Sequence, residues 1–220
     1  MTGRIAALFD IDGTLVDSNY LHVEAWQHAL HDLGTDVDAA RIHRSIGQDG
    51  GQLLSSLVGE KSEAWTSEAT ALNARYYSEL APRLRRFDGV TQLLRTLADR
   101  GVVIVLATSA PQEELDLLLP VIDADDLIHA TTNADDVDTA KPEPDIVQVA
   151  LSRAGVEADH AFFIGDSVWD MKAAARAGVT PYAVLSGGIA SGSLTDAGAR
   201  VVFDDPADLL ARLDEIALLG

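Results

Sequence analysis

The stretch with the most chemical content is Phe9-Asp10-Ile11-Asp12-Gly13-Thr14-Leu15. Its two carboxylates lie two residues apart, directly after the apolar run Ile5 to Phe9. A short continuous apolar run suits a central parallel strand buried on both faces. Where such a strand ends in a glycine turn, Asp10 and Asp12 can face one small space. Like charges about 4 Å apart repel by roughly 4 kcal/mol at an effective dielectric near 20. A cation, a positive side chain or a shared proton has to offset that cost. Taken alone, an Asp-x-Asp-Gly turn is also an ordinary way to end a strand, since Asp and Gly both favour turns.

Ligands in open α/β sheets gather beyond the carboxyl ends of the strands, and more polar residues stand at such places. Thr108 and Ser109 follow the apolar run Val102 to Leu106 and Ala107. Gly165, Asp166, Ser167 and then Asp170 follow Ala161 to Ile164. Lys141 stands in Lys-Pro-Glu-Pro-Asp, where Pro142 favours an extended backbone at Lys141 and keeps it out of the next helix. Each has a plain structural reading. Thr108, Asp166 and Ser167 can cap the helices after them, and Lys141 can be a solvated lysine. As a set they offer more. Asp10, Asp12 and Asp166 supply the hard oxygen ligands that magnesium prefers, and a dication with Lys141 offsets the carboxylate repulsion. A nucleophile, a metal and donors for phosphoryl oxygens are the equipment of phosphoryl transfer.

Positioning these residues requires a sheet. Helical spacing covers Val90 to Asp99, Gln112 to Val121, Pro144 to Ala154, Ser167 to Ala177 and Pro206 to Leu218. Between and around them lie strand candidates: Val102 to Leu106, Leu127 to Ala130, Ala161 to Ile164, Tyr182 to Leu185 and Arg200 to Phe203. Such alternation predicts an α/β fold with a doubly wound, mostly parallel, Rossmann-like sheet. Residues 21–80 break the pattern, with helical candidates at Leu21 to Leu33, Asp38 to Ile46, Gln52 to Leu57 and Ser62 to Leu80 and no strand between them. The expected division is a catalytic core of residues 1–17 and 88–220 and a small all-helical cap of residues 18–87. That cap, inserted after the first strand, is expected to move relative to the core.

Composition narrows the partners. The chain has 220 residues, 47% of them hydrophobic, which supports a buried core and argues against disorder. No apolar run approaches the roughly 20 residues that span a bilayer, and no secretory signal pattern is present at residue 1. Without cysteine there is no disulfide framework and no thiolate metal site, so a cytoplasmic location is the default expectation. A formal net charge of -19 repels nucleic acid and anionic membranes. The expected partner is a small metabolite, and a phosphate substrate then needs a local cationic site. A monomer and a homodimer are both compatible with the sequence.

Asp10-Ile11-Asp12-Gly13-Thr14-Leu15-Val16-Asp17-Ser18 resembles the first motif of the haloacid dehalogenase superfamily. Thr108, Lys141 and Gly165-Asp166-Ser167-Val168-Trp169-Asp170 resemble its second, third and fourth motifs, in the family's order. The helical insertion resembles the family's small cap. This resemblance implies a magnesium-dependent phosphatase of the phosphoglycolate phosphatase and β-phosphoglucomutase-like branch. In it, Asp10 attacks phosphorus to form an aspartyl-phosphate, and Asp12 acts as general acid and then general base. Thr108, Ser109 and Lys141 hold the phosphoryl oxygens. Magnesium is implied at Asp10, at the Asp12 backbone carbonyl and at Asp166, with Asp170 orienting metal-bound water.

Asp12 sets this reading apart from the dehalogenase branch, which lacks an acid/base Asp there. A sugar-phosphate mutase of the β-phosphoglucomutase type is the nearer competitor, since His22 and Trp26 resemble that enzyme too. Against it, Gly47-Gln48-Asp49-Gly50 lacks an obvious counterpart to the arginine that grips a second phosphate. A signalling receiver domain shares the acidic magnesium site but is shorter and has no cap. His22, near the hinge, has two available uses: substrate contact, or hydrogen bonds at the helix start. Trp26 reads as cap core. Arg44, Arg83, Arg85 and Arg86 read as solvated charge, and Ser186-Gly187-Gly188 as a loop after a strand, with a place at the border of the site as the alternative.

Overall fold

A computed structural model describes residues 3–137 and 139–220. Residues 1, 2 and 138, which the expected core division includes, lie outside the described residues. The strands are β1 (Ala6–Phe9), β2 (Val16–Asp17), β3 (Arg85–Arg86), β4 (Val103–Leu106), β5 (Ala130–Thr131), β6 (Ala161–Gly165), β7 (Thr180–Val184) and β8 (Val202–Phe203). The helices are α1 (Asn19–Asp32), α2 (Ala39–Ser45), α3 (Gly50–Val58), α4 (Glu63–Leu80), α5 (Val90–Asp99), α6 (Gln112–Ile122), α7 (Asp145–Ala154), α8 (Val168–Arg176), α9 (Ser191–Asp196) and α10 (Pro206–Ala211).

Six strands form a parallel sheet in the order β5-β4-β1-β6-β7-β8. The chain builds outward from β1 to one side and then to the other, so the strand order reverses at β1. Such a switch point is where α/β sheets open a crevice. Register fixes what lines it. Phe9 pairs with Leu106 on one side and with Ile164 on the other, so Asp10, Ala107 and Gly165 leave the sheet at one level.

Strand side chains alternate between two apolar layers, as a two-residue period requires. Ala7, Phe9, Ile104, Leu106, Phe162 and Ile164 face a layer completed by α5, α6 and α10. Ala6, Leu8, Val103, Val105, Ala161 and Phe163 face the layer of α7 and α8. This two-sided burial explains why the strands read as unbroken apolar runs. A separate cluster, including Val23, Trp26, Leu30, Ile42, Leu53 and Leu57, holds α1 to α4 together. Trp26 is therefore buried in that cluster.

Several elements differ from the sequence expectation. The two-residue antiparallel pair of β2 and β3, Val16 with Arg86 and Asp17 with Arg85, carries no period to read. It lies where the chain leaves and re-enters the sheet. The strand expected at Leu127 to Ala130 falls at Ala130–Thr131, because Leu127 closes a turn onto the Ala124 carbonyl and packs from there against the core. The last helix stops at Ala211, and a short 3-10 turn over Leu213–Glu215 follows. Leu213 and Ile216 stay buried, so the apolar pattern persisted while the backbone changed. The α9 helix, rich in Ser and Gly, was not expected. Among the described residues, no helix is long and apolar enough to cross a membrane.

Candidate active site

The site starts at the end of β1, where the Asp10 N–H donates to the Ile164 carbonyl at 2.9 Å. The Asp10 side chain accepts from a buried ammonium: Lys141 Nζ lies 2.5 Å from its Oδ1 and 2.7 Å from Asp170 Oδ1. Lys141 is only 2% exposed, so the solvated-lysine reading does not hold. Burial opposes its charge, but the two carboxylates outweigh that and raise its pKa above the ordinary lysine range.

Asp170 has little freedom left. Its Oδ2 accepts from the Ser167 N–H and hydroxyl at 3.0 and 2.6 Å, while Ser167 Oγ accepts from the Asp170 N–H at 3.2 Å. This reciprocal pair is a capping box that starts α8. Ser167, rather than Asp166, therefore takes the capping role. Asp166 instead accepts from Asn19 Nδ2 at 2.7 Å and from Thr14 Oγ1 at 3.4 Å.

Two glycines leave room for Asp166. A Cβ on Gly13, whose φ is +70°, would lie 2.4 Å from Asp166 Oδ2, and one on Gly187 would lie 1.6 Å from it. Gly187→Ala is expected to displace Asp166 and to cost about 1–3 kcal/mol through overpacking. Thermal melts with and without magnesium check this, and the increment in Tm that magnesium gives should shrink in the variant. The neighbouring Ser186 hydroxyl donates to the Gly13 carbonyl at 2.7 Å, so this loop does border the site.

Asp10, Asp166 and Asp170 each offer a carboxylate oxygen within 4.8 Å of the others. Burial pushes the Asp10 pKa up to about 8; Lys141 pulls it down, and the Asp170 and Asp12 charges add to the rise. Burial, with repulsion from Asp170 and Asp10, also lifts Asp166 well above the usual carboxylate range. Three buried acids with one ammonium are short of positive charge, and their donors are all hard oxygens. A magnesium ion fits that set.

Asp12 faces different partners. Its Oδ1 accepts from Ser18 Oγ at 2.5 Å and lies 3.3 Å from His22 Nε2. The same His22 nitrogen lies 3.3 Å from Glu114 Oε1, and the imidazole stacks on Tyr77 at 4.0 Å between ring centroids. Burial opposes a charged imidazole, but Glu114 and Asp12 push its pKa up to about 10. For Asp12 burial would raise the pKa, yet the hydrogen bonds from His22 and Ser18 hold it below the ordinary value. An ionised carboxylate beside an imidazolium can accept and return a proton.

Thr108 stands two residues beyond the end of β4, and its Oγ1 accepts from the Ala110 N–H at 3.0 Å. That bond ties the loop before α6 and does not cap the helix, whose N-cap is Pro111, so the capping reading of Thr108 does not hold, and its own hydroxyl hydrogen remains available to a ligand. The Ser109 hydroxyl is buried with no partner in the protein. Both line a cavity of about 220 Å³ that also reaches Asp10, Asp12, Lys141 and Asp166. The structure thus brings together Asp10, Asp12, His22, Thr108, Ser109, Lys141, Asp166 and Asp170. Sequence reasoning missed Asn19 and Glu114. Each stands in the first turn of a helix, where such residues are ordinary, so no local signal marked them. Arg44 is exposed and Arg83 pairs with Glu24 at 2.7 Å, in keeping with solvated charge.

Known proteins resemble this chain over nearly its full length. The sequence profile described as haloacid dehalogenase-like hydrolase matches residues 7–184. A phosphoglycolate phosphatase from Rhodospirillum rubrum is 32% identical over 214 residues, covering 93% of this chain and 88% of its own. The crystal structure of a hydrolase from Pseudomonas syringae superposes with a TM-score of 0.93 at 36% identity, covering 97% of this chain and 99% of that one. A β-phosphoglucomutase from Clostridium difficile shares the fold, with a TM-score of 0.85 at 20% identity over 98% of this chain and 96% of its own.

Proposed function

The chain belongs to the haloacid dehalogenase-like hydrolases and is a phosphatase of that family, and from that premise we propose that it hydrolyses a small phosphomonoester in two steps through Asp10. The observation that carries this reading is the division between the two carboxylates. Asp10 sits against Lys141, whereas Asp12 is turned to Ser18 and His22.

In the first step an Asp10 carboxylate oxygen attacks phosphorus, a new P–O bond forms, and the bond to the leaving oxygen breaks. Asp12 delivers a proton to that oxygen, drawing on the imidazolium of His22 one hydrogen bond away. In the second step Asp12 takes a proton from water as the water attacks the aspartyl-phosphate, which frees phosphate and restores Asp10. Lys141 and the Thr108 and Ser109 groups hold the phosphoryl oxygens, so positioning and charge stabilisation supply most of the acceleration. Asp10, Asp166 and the Asp12 carbonyl would hold magnesium, with Asp170 beside them, because both Asp170 oxygens are already engaged. When bound, the ion supplies neutralisation of phosphoryl and carboxylate charge. Helices α1 to α4 act as a cap that excludes water when substrate is bound.

Mutase chemistry needs a cation that holds a second phosphate. Among the described residues lining the cavity the only Lys, Arg or His side chains are Lys141 and His22, and both are paired to acids. Hydrolysis is therefore the reading supported. It is tested with p-nitrophenyl phosphate: chelation should abolish phosphate release and magnesium should restore it. Turnover that ignores both treatments would refute the metal assignment.

A further inference from the structure

Resting on the phosphatase reading above, we propose that the leaving group this protein accepts is a polyhydroxylated body carrying no negative charge. The cavity continues past the phosphoryl end between α1, α3, α4 and the start of α6. Its two cations are spent: Lys141 is paired with Asp10 and Asp170, and His22 with Asp12 and Glu114. Two acids oppose one imidazolium in the second group, so an unbalanced negative charge faces the leaving group. Asp49 also lines the cavity, its carboxylate accepting from the Gly51 and Gln52 N–H groups at the start of α3. A carboxylate or second phosphate on the leaving group would meet that field with nothing to pair it.

What this part of the cavity offers is hydrogen bonding. Gln48 Oε1 and Asn73 Nδ2 are buried with no partner in the protein, and both residues line the cavity. Thr70 Oγ1 donates to the Thr66 carbonyl at 3.0 Å, which leaves its lone pairs free for a ligand. A hydroxyl both donates and accepts, so it can satisfy an amide oxygen, an amide N–H₂ group and a threonine oxygen alike. Trp26 provides the apolar surface on which the carbon chain of a polyol can lie. A built set of unpaired polar groups rejects ligands that cannot satisfy them. The chemistry selected is thus that of a sugar or polyol phosphate, and it disfavours phosphoglycolate itself.

Matched pairs that differ only in a terminal hydroxymethyl against a carboxylate decide the matter. The pairs are 2-hydroxyethyl phosphate with 2-phosphoglycolate, and sorbitol 6-phosphate with 6-phosphogluconate. Binding is measured by calorimetry to the Asp10→Asn protein with magnesium, with competition of the same compounds against p-nitrophenyl phosphate turnover by the unmodified protein as a second measurement should the variant fail to fold. The hydroxyl member of each pair should bind at least about tenfold more tightly, equivalent to about 1.4 kcal/mol. Asn73→Leu, introduced into the same background, should narrow that gap by weakening the polyol. Equal binding, tighter binding of the carboxylates, or binding of neither pair would overturn the proposal. Turnover of p-nitrophenyl phosphate by the unmodified protein is read in parallel. Its failure would sink the phosphatase reading, while the binding preference would still stand or fall by itself.

Discussion

Asp10→Asn should remove turnover and raise metal-free stability at once. Loss of the attacking oxygen should lower kcat by about 10⁴-fold or more, the scale seen when a nucleophile is deleted. No acid-stable, alkali-labile phosphoenzyme should then accumulate. The stability effect has the opposite sign. Burial first, with Asp170 and Asp12 adding repulsion against the pull of Lys141, lifts the Asp10 pKa from 3.8 to about 8 in the folded chain. An acid whose folded pKa lies above its unfolded value is harder to ionise when folded, so folding loses stability as pH rises between those two values. Asparagine cannot ionise and escapes that loss. Melts in chelator should therefore show Asp10→Asn gaining on the parent as pH climbs from about 4 to 8. A variant that loses activity and stability together would point to a structural role for Asp10 instead.

The second large effect is expected at Lys141. Lys141→Met keeps much of the volume and deletes the ammonium, leaving Asp10 and Asp170 buried without their cation. Removing one partner of a buried ion pair costs about 3–5 kcal/mol, which for a domain of this size lowers Tm by roughly 6–20 °C. Turnover should also fall, since the group that steadies the phosphoryl oxygens is gone. Adding Asp170→Asn to Lys141→Met should return part of the stability, because one of the stranded charges is removed, and should return no activity. Rescue of both together, or a Tm unchanged by Lys141→Met, would contradict the arrangement. Magnesium should stabilise Lys141→Met more than it stabilises the parent, as its charge replaces the missing one.

Much of this site was legible in the sequence, for a local reason. A strand buried on both faces must be written as an apolar run, and the first polar residue after the run marks where the strand meets solvent or ligand. That rule locates Asp10, Thr108 and Asp166, and Pro142 sets Lys141 outside the following helix. The helical group was equally plain, since α1 to α4 carry helical spacing over four segments with no strand between them. Short pairings such as β2 with β3 escaped, because two residues have no period. The end of α10 escaped too, because Leu213 and Ile216 keep the helical apolar spacing after the backbone has left the helix.

The sequence by itself thus determined which groups stand at the sheet edge and that Asp10 and Asp12 form a costly pair there. Tertiary structure decided how the cost is divided. Register across β4, β1 and β6 sets Asp10 beside Lys141, Asp166 and Asp170, whereas α1 and α6 send His22 and Glu114 to Asp12. Asn19 and Asp166 are 147 positions apart in the chain yet 2.7 Å apart in space. Gly187 matters only because Asp166 fills the place of its absent side chain. Such contacts cannot be read from spacing, because the energy that fixes them belongs to the packed fold and not to the neighbouring residues.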